Sequence, residues 1–74
     1  MTKEAIKEAV NAQPFRPFTL RMADGSSYPV PARDFISISP SERRSIAVWN
    51  ERGGNSLLDV MLITAIEREE SVES

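Results

Sequence analysis

The chain of 74 residues carries nine serines, eleven carboxylates and nine Lys or Arg, but no histidine and no cysteine. A serine hydroxyl is a weak nucleophile until a neighbouring base takes its proton. Without histidine that base would have to be Lys3 or Lys7, which fall together in one short expected helix. The carboxylates before residue 69 are scattered over expected turns and that same helix, with no close pair suited to acid and base work. The expectation is therefore a protein that is not an enzyme. Thiolate and imidazole metal sites are excluded by composition. Asp24-Gly25-Ser26 is too short to be a calcium loop, and Gly53-Gly54 precedes a strand rather than the helix N-terminus that a phosphate loop requires. No cofactor and no metal are expected.

Surface chemistry is what remains, and two sets of residues offer it. Phe35, Ala47, Trp49 and Met61 fall on the face of their strands opposite the expected core, so a single buried layer cannot hold them all. Aromatic and methionine side chains are favoured at the centres of interfaces, which makes Phe35, Trp49 and Met61 the candidate interaction patch. Either the N-terminal helix lays Ile6 and Val10 over this face or another molecule covers it. The second set is cationic: Arg16, Arg21, Arg43 and Arg44 could bind single-stranded RNA or DNA weakly, with Trp49 or Phe35 as a stacking platform. Against this stands the overall charge of −2. Residues 1–68 have a balance of only about +1, a poor start for displacing counterions from a phosphate backbone.

The elements that must position these residues follow from periodicity. Thr2 to about Gln13 predicts a helix: Thr2 can cap it, Glu4 suits its positive end, Ala5, Ile6, Ala9 and Val10 form one apolar stripe, and Pro14 stops it. From Phe18 the period is two. Strands are expected at about 18–22, 26–30, 35–39, 45–50 and 57–62, with a tight helical turn near Ile63-Thr64 and a short last strand at 65–68. Around Asp24-Gly25 only a three-residue loop places Phe18, Leu20, Tyr28 and Val30 on one face. That loop pairs Phe18 with Val30 and Leu20 with Tyr28, and requires Gly25 in the left-handed region. Matching apolar faces then pairs Ile36 with Val48, Ile38 with Ile46 and Phe35 with Trp49. It also pairs Val60 with Val48 and Leu62 with Ile46. Pro14-Phe15-Arg16-Pro17-Phe18 reads either as a docking element or as a rigid crossover whose phenylalanines cap the core.

These elements predict one small domain over residues 1–68, mainly β with an N-terminal helix, and a disordered acidic tail at 69–74. The expected architecture is a five-stranded antiparallel SH3-like or Sm-like barrel, closed so as to hide its edges. The alternative is an open α+β meander with the helix packed on one face.

The string PFRPFTLRMADGSSYPV, followed by DFISISP and by LLDVMLITAIE, resembles a widespread group of short, uncharacterised bacterial proteins. They share a PFRPF opening, a DG hairpin and an aliphatic strand followed by an I-x-x-I-E pattern. The resemblance spans about residues 14–67 and implies no activity or site. The helix-first order and the Leu20 to Tyr28 hairpin also resemble Sm-like RNA-binding proteins, which would imply nucleic-acid contacts.

A domain this small buries only about 60% of its unfolded surface, so association with a protein partner or a second copy is a natural expectation. No apolar run approaches the ~18 residues of a membrane span, and Met1-Thr2-Lys3-Glu4 opens no apolar signal segment. A cytoplasmic protein without membrane contact is expected. Its leading functional reading is a protein-interaction or self-association module; the alternative is weak binding of single-stranded nucleic acid.

Overall fold

The computed structural model describes residues 1–41 and 44–68. It shows one helix, α1 (Lys3–Val10), and six strands: β1 (Phe18–Met22), β2 (Ser27–Val30), β3 (Ile36–Ser37), β4 (Ser45–Trp49), β5 (Asn55–Asp59) and β6 (Ile63–Arg68). Two 3-10 turns, Arg33–Phe35 and Val60–Leu62, precede β3 and β6. The strands form two antiparallel three-stranded sheets, ordered β2-β1-β6 and β3-β4-β5. Among the described residues their ladders do not join into one closed five-stranded barrel.

Thr2 caps α1, its hydroxyl accepting from Ala5 N at 3.3 Å. The helix is shorter than its apolar stripe suggested and ends at Val10, with Asn11 N still donating to Lys7 O. Arg33 holds that end: its Nε donates to Val10 O at 2.8 Å and its Nη2 to Ala12 O at 2.6 Å. Carbonyls orphaned at a helix C-terminus are thereby satisfied by a cation, which the helix dipole also favours. An eight-residue helix has no stability of its own in water; Ile6 and Ala9, at 0% and 2% exposure, anchor it to the core.

The first hairpin has the expected register, Phe18 opposite Val30 and Leu20 opposite Tyr28, with Gly25 at φ +91°. Met22 N donates to Ser26 O at 2.8 Å, closing the loop Ala23-Asp24-Gly25. That bond sets the phase of the ladder: Met22, Leu20 and Phe18 belong to hydrogen-bonded pairs, so Pro29, opposite Thr19, turns its ring nitrogen away from β1. A proline is tolerated there because no ladder donor is lost.

The middle of the chain departs from expectation in three places. The strand expected at 35–39 is only Ile36–Ser37, because Phe35 N bonds to Ala32 O and curls the chain into a turn. Ile36 pairs with Val48 as expected, but Phe35 with Trp49 and Ile38 with Ile46 fall outside the ladder. The β4 and β5 strands pair Ile46 with Leu58, Ala47 with Leu57 and Val48 with Ser56. This is four residues from the expected register that matched Val48 to Val60. The strand expected at 57–62 begins at Asn55 and ends at Asp59, whose carboxylate accepts from Met61 N at 2.9 Å and starts the 3-10 turn. The helical turn therefore comes before Ile63 rather than at Ile63-Thr64, and β6 is six residues long. The expected disordered tail at 69–74 lies outside the described residues.

Both sheets contribute to one core. Leu20, Val30 and Ile63 come from the first, Ile46 from the second and Ile6 from the helix, all within 1% exposure. No polar or charged side chain is buried among the described residues.

Candidate binding groove

An open groove of about 530 Å³ lies where β2 meets the end of the second sheet. Three aromatic residues line it: Tyr28 from β2, Phe35 from the end of the first 3-10 turn and Trp49 from the end of β4. All three are half-buried, so their rings are braced against the protein while part of each meets solvent. Pro29 and Pro31 add rigid apolar walls, and Val48 with its ladder partner Ser56 also lines the groove.

The β4 to β5 loop forms one rim. Asn50 N donates to Gly54 O at 2.9 Å and Gly53 N to Asn50 O at 3.2 Å, with Gly53 at φ +89°. The Asn50 carboxamide oxygen accepts from Arg52 N and Gly54 N at 2.9 and 3.0 Å, so the rim is held by its own backbone together with the Asn50 side chain. Glu51 and Arg52 are the charged lining residues. Flat rings, prolines and one charge of each sign suit an extended peptide better than a reacting small molecule.

The titratable groups with displaced pKa values lie elsewhere. Asp24 is lowered by the hydroxyl and N–H of Ser26, which caps the first hairpin loop. Asp59 is lowered chiefly by Met61 N–H and then by Arg44. Glu67 is lowered by the two hydrogen bonds from Arg21, at 2.8 and 3.1 Å. Among the described residues no three His, Cys, Asp or Glu converge as a metal site would require.

The structure divides the candidate patch. Phe35 and Trp49 share the groove, whereas Met61, 65% exposed, lines a separate depression with Met1, Thr2, Arg44 and Val60. The helix contributes no lining residue to the groove; its Ile6 and Ala9 go into the common core. The cationic candidates are also dispersed. Arg21 is held by Glu67 and Arg44 by Asp59 at 2.9 Å, Arg16 is exposed on the crossover, and Arg43 lies outside the described residues. Along the crossover, Phe15 packs on Phe18 with centroids 5.9 Å apart, and the Arg33 guanidinium sits 5.4 Å from the Phe15 ring centre.

The two prolines and Ser56 were not among the candidate site residues, and Tyr28 was expected only on the core-facing side of the first hairpin, where it is half-buried and lines the groove. Ser56 gave no usable signal, because it falls in the loop expected before a strand at 57–62, and only the observed register pairs it with Val48. Compared with family models, curated proteins and solved structures, the chain matches none.

Proposed function

We propose that this protein is a small non-enzymatic association module whose groove receives an extended, apolar or proline-rich segment of a protein partner. The observation that carries the reading is the convergence of Tyr28, Phe35 and Trp49, with Pro29 and Pro31, in one open groove. Aromatic-lined grooves bind extended segments by stacking on their pyrrolidine and apolar side chains, at low ordering cost to the ligand. The two sheets, with a 3-10 turn before a last strand that returns to β1, support an SH3-like barrel as the parent architecture. Membership of the PFRPF group of short bacterial proteins and a cytoplasmic setting belong to the same proposal. Among the described residues no helix is long and apolar enough to cross a membrane.

Nucleic-acid binding is the second reading, and the carboxylates already engaged by Arg21 and Arg44 weigh against it. A displayed library of proline-containing peptides, panned on the wild type and on Trp49→Ala, tests the choice. The expected outcome is peptides that perturb Trp49 fluorescence, lose at least about tenfold in affinity with Trp49→Ala, and bind equally at about 50 and 200 mM salt. If no peptide is selected and oligo-dT or oligo-U binds with a steep salt dependence, the association reading fails.

A further inference from the structure

Among the described residues the four sheet edges are not alike. An unpaired edge offers its N–H and C=O groups to any other strand, and proteins blunt that offer with prolines, charges or very short strands. Pro29 interrupts β2, β3 is two residues long, and β6 ends in Glu67 and Arg68. By contrast β5, Asn55-Ser56-Leu57-Leu58-Asp59, has no proline, and its one charge is already engaged by Arg44.

The hydrogen-bond phase of β5 is fixed from both ends. Asn50 bonds to Gly54 and Val60 N to Arg44 O, so the hydrogen-bonded pairs of the β4 to β5 ladder are the even-numbered residues. Asn55 and Leu57 therefore turn their N–H and C=O groups outward, away from β4, as does the N–H of Asp59, whose C=O belongs to the 3-10 turn that follows. Leu57 sits at the middle of this edge and is 76% exposed, the most exposed large hydrophobic side chain among the described residues.

We infer that β5 is a self-association edge, pairing antiparallel with β5 of a second copy about a two-fold axis at Leu57. The register is self-complementary. Leu57 meets Leu57 of the partner subunit, exchanging both backbone hydrogen bonds and covering each other's exposed side chain. Asn55 lies opposite Asp59 of the partner subunit, twice by symmetry, so an amide donor faces a carboxylate and no like charges meet. The second sheet becomes a six-stranded sheet across the dimer. Of the β5 residues only Ser56 lines the groove, and its side chain lies on the face opposite Leu57, so this association stands or falls independently of the peptide reading.

Sedimentation of the wild type over a concentration series is the test, with thermal melts to confirm that each variant folds. A monomer–dimer equilibrium is expected with Kd of about 0.01–1 mM, as suits a small interface. Leu57→Lys places two like charges on the axis and should weaken the dimer by at least about tenfold. The charge variants give opposite signs: Asn55→Asp faces Asp59 of the partner subunit and weakens the dimer, whereas Asn55→Lys tightens it by about fivefold. Arg16→Ala, on the exposed crossover and outside β4 and β5, should leave Kd within about twofold. A monomer up to about 1 mM, an oligomer larger than two, a dimer that survives Leu57→Lys, one lost in Arg16→Ala, or Asn55 variants that shift Kd in the same direction would each overturn the proposal.

Discussion

The two long hairpins are closed by the same device and put to different uses. In β1–β2 the loop Ala23-Asp24-Gly25 is shut by Met22 N to Ser26 O and Gly25 N to Met22 O; in β4–β5 the loop Glu51-Arg52-Gly53 is shut by Asn50 N to Gly54 O and Gly53 N to Asn50 O. The third loop residue is a glycine at φ +91° or +89° in both. Beyond the turns the strands diverge. β2 presents Pro29 on its free edge and Val30 to the core, whereas β5 presents Leu57 to solvent and Ser56 to the groove. Turn chemistry fixes which residues face each other, and the side chains then decide whether the strand serves the core or the surface.

The sharpest way to break the comparison is in the shared interior. Leu20→Ala in the first sheet and Ile46→Ala in the second each remove a fully buried side chain, and each should cost about 3 kcal/mol. Because both sheets enclose one core, chemical denaturation should show a single transition at a lower midpoint in either variant. Two separable transitions would mean that the sheets are independent units.

The turns come next. No heavy atom lies within 4 Å of the Cβ that a substitution would add at Gly25 or Gly53. The cost of Gly25→Ala and Gly53→Ala is thus conformational alone, about 1–2 kcal/mol and similar at both sites. Melting curves of the two variants should shift alike. An unequal pair would show that one turn lacks the left-handed geometry they share.

Protonation gives the smallest effect. Asp24 braces the first turn, while Asp59 and Glu67 link strands through arginines, and each is held below its ordinary pKa. A carboxylate lowered in the folded state stabilises it fully above the ordinary values of 3.8 for Asp and 4.5 for Glu. That contribution is lost as pH falls below those values and through the lowered ones. Asp24 and Glu67 are exposed and Asp59 is half-buried at the surface, so the melting temperature should be flat near neutrality and decline only modestly in this acid range. Asp24→Asn should remove the part of the decline that belongs to the first turn.

How legible the fold was in the sequence varied with the length of chain that each inference had to span. Asp24-Gly25 announced a three-residue loop, and the register of β1–β2 followed from it. Arg52-Gly53 held the same information, but Asn55 and Ser56 are polar, so they read as loop and the register was inferred from the aliphatic run Leu57 to Leu62 instead. That run is divided by a turn which Asp59 caps, and the side-chain acceptor rather than hydrophobic periodicity is what ends β5. The site was legible in part for the same reason. Phe35 and Trp49 could be placed on a common surface from strand parity, whereas the contribution of Tyr28 depends on how β2 meets the second sheet, a contact between sheets that no local pattern encodes. Met61 left the patch because the turn, not a strand, carries it.

Arg33 fastens the helix from 23 residues away, measured from Val10. Much of that separation is removed when the first hairpin closes, because pairing Phe18 with Val30 bridges 12 of those residues. The loop that remains to be closed when Arg33 reaches the helix is then about 11 residues rather than 23. Halving a loop lowers its closure cost by about 0.6 kcal/mol. A chain in which the hairpin forms first thus meets a smaller entropic barrier to docking its helix than one in which the helix must find Arg33 across open coil. The guanidinium that finishes the helix couples the order of assembly to the Asp24-Gly25 turn.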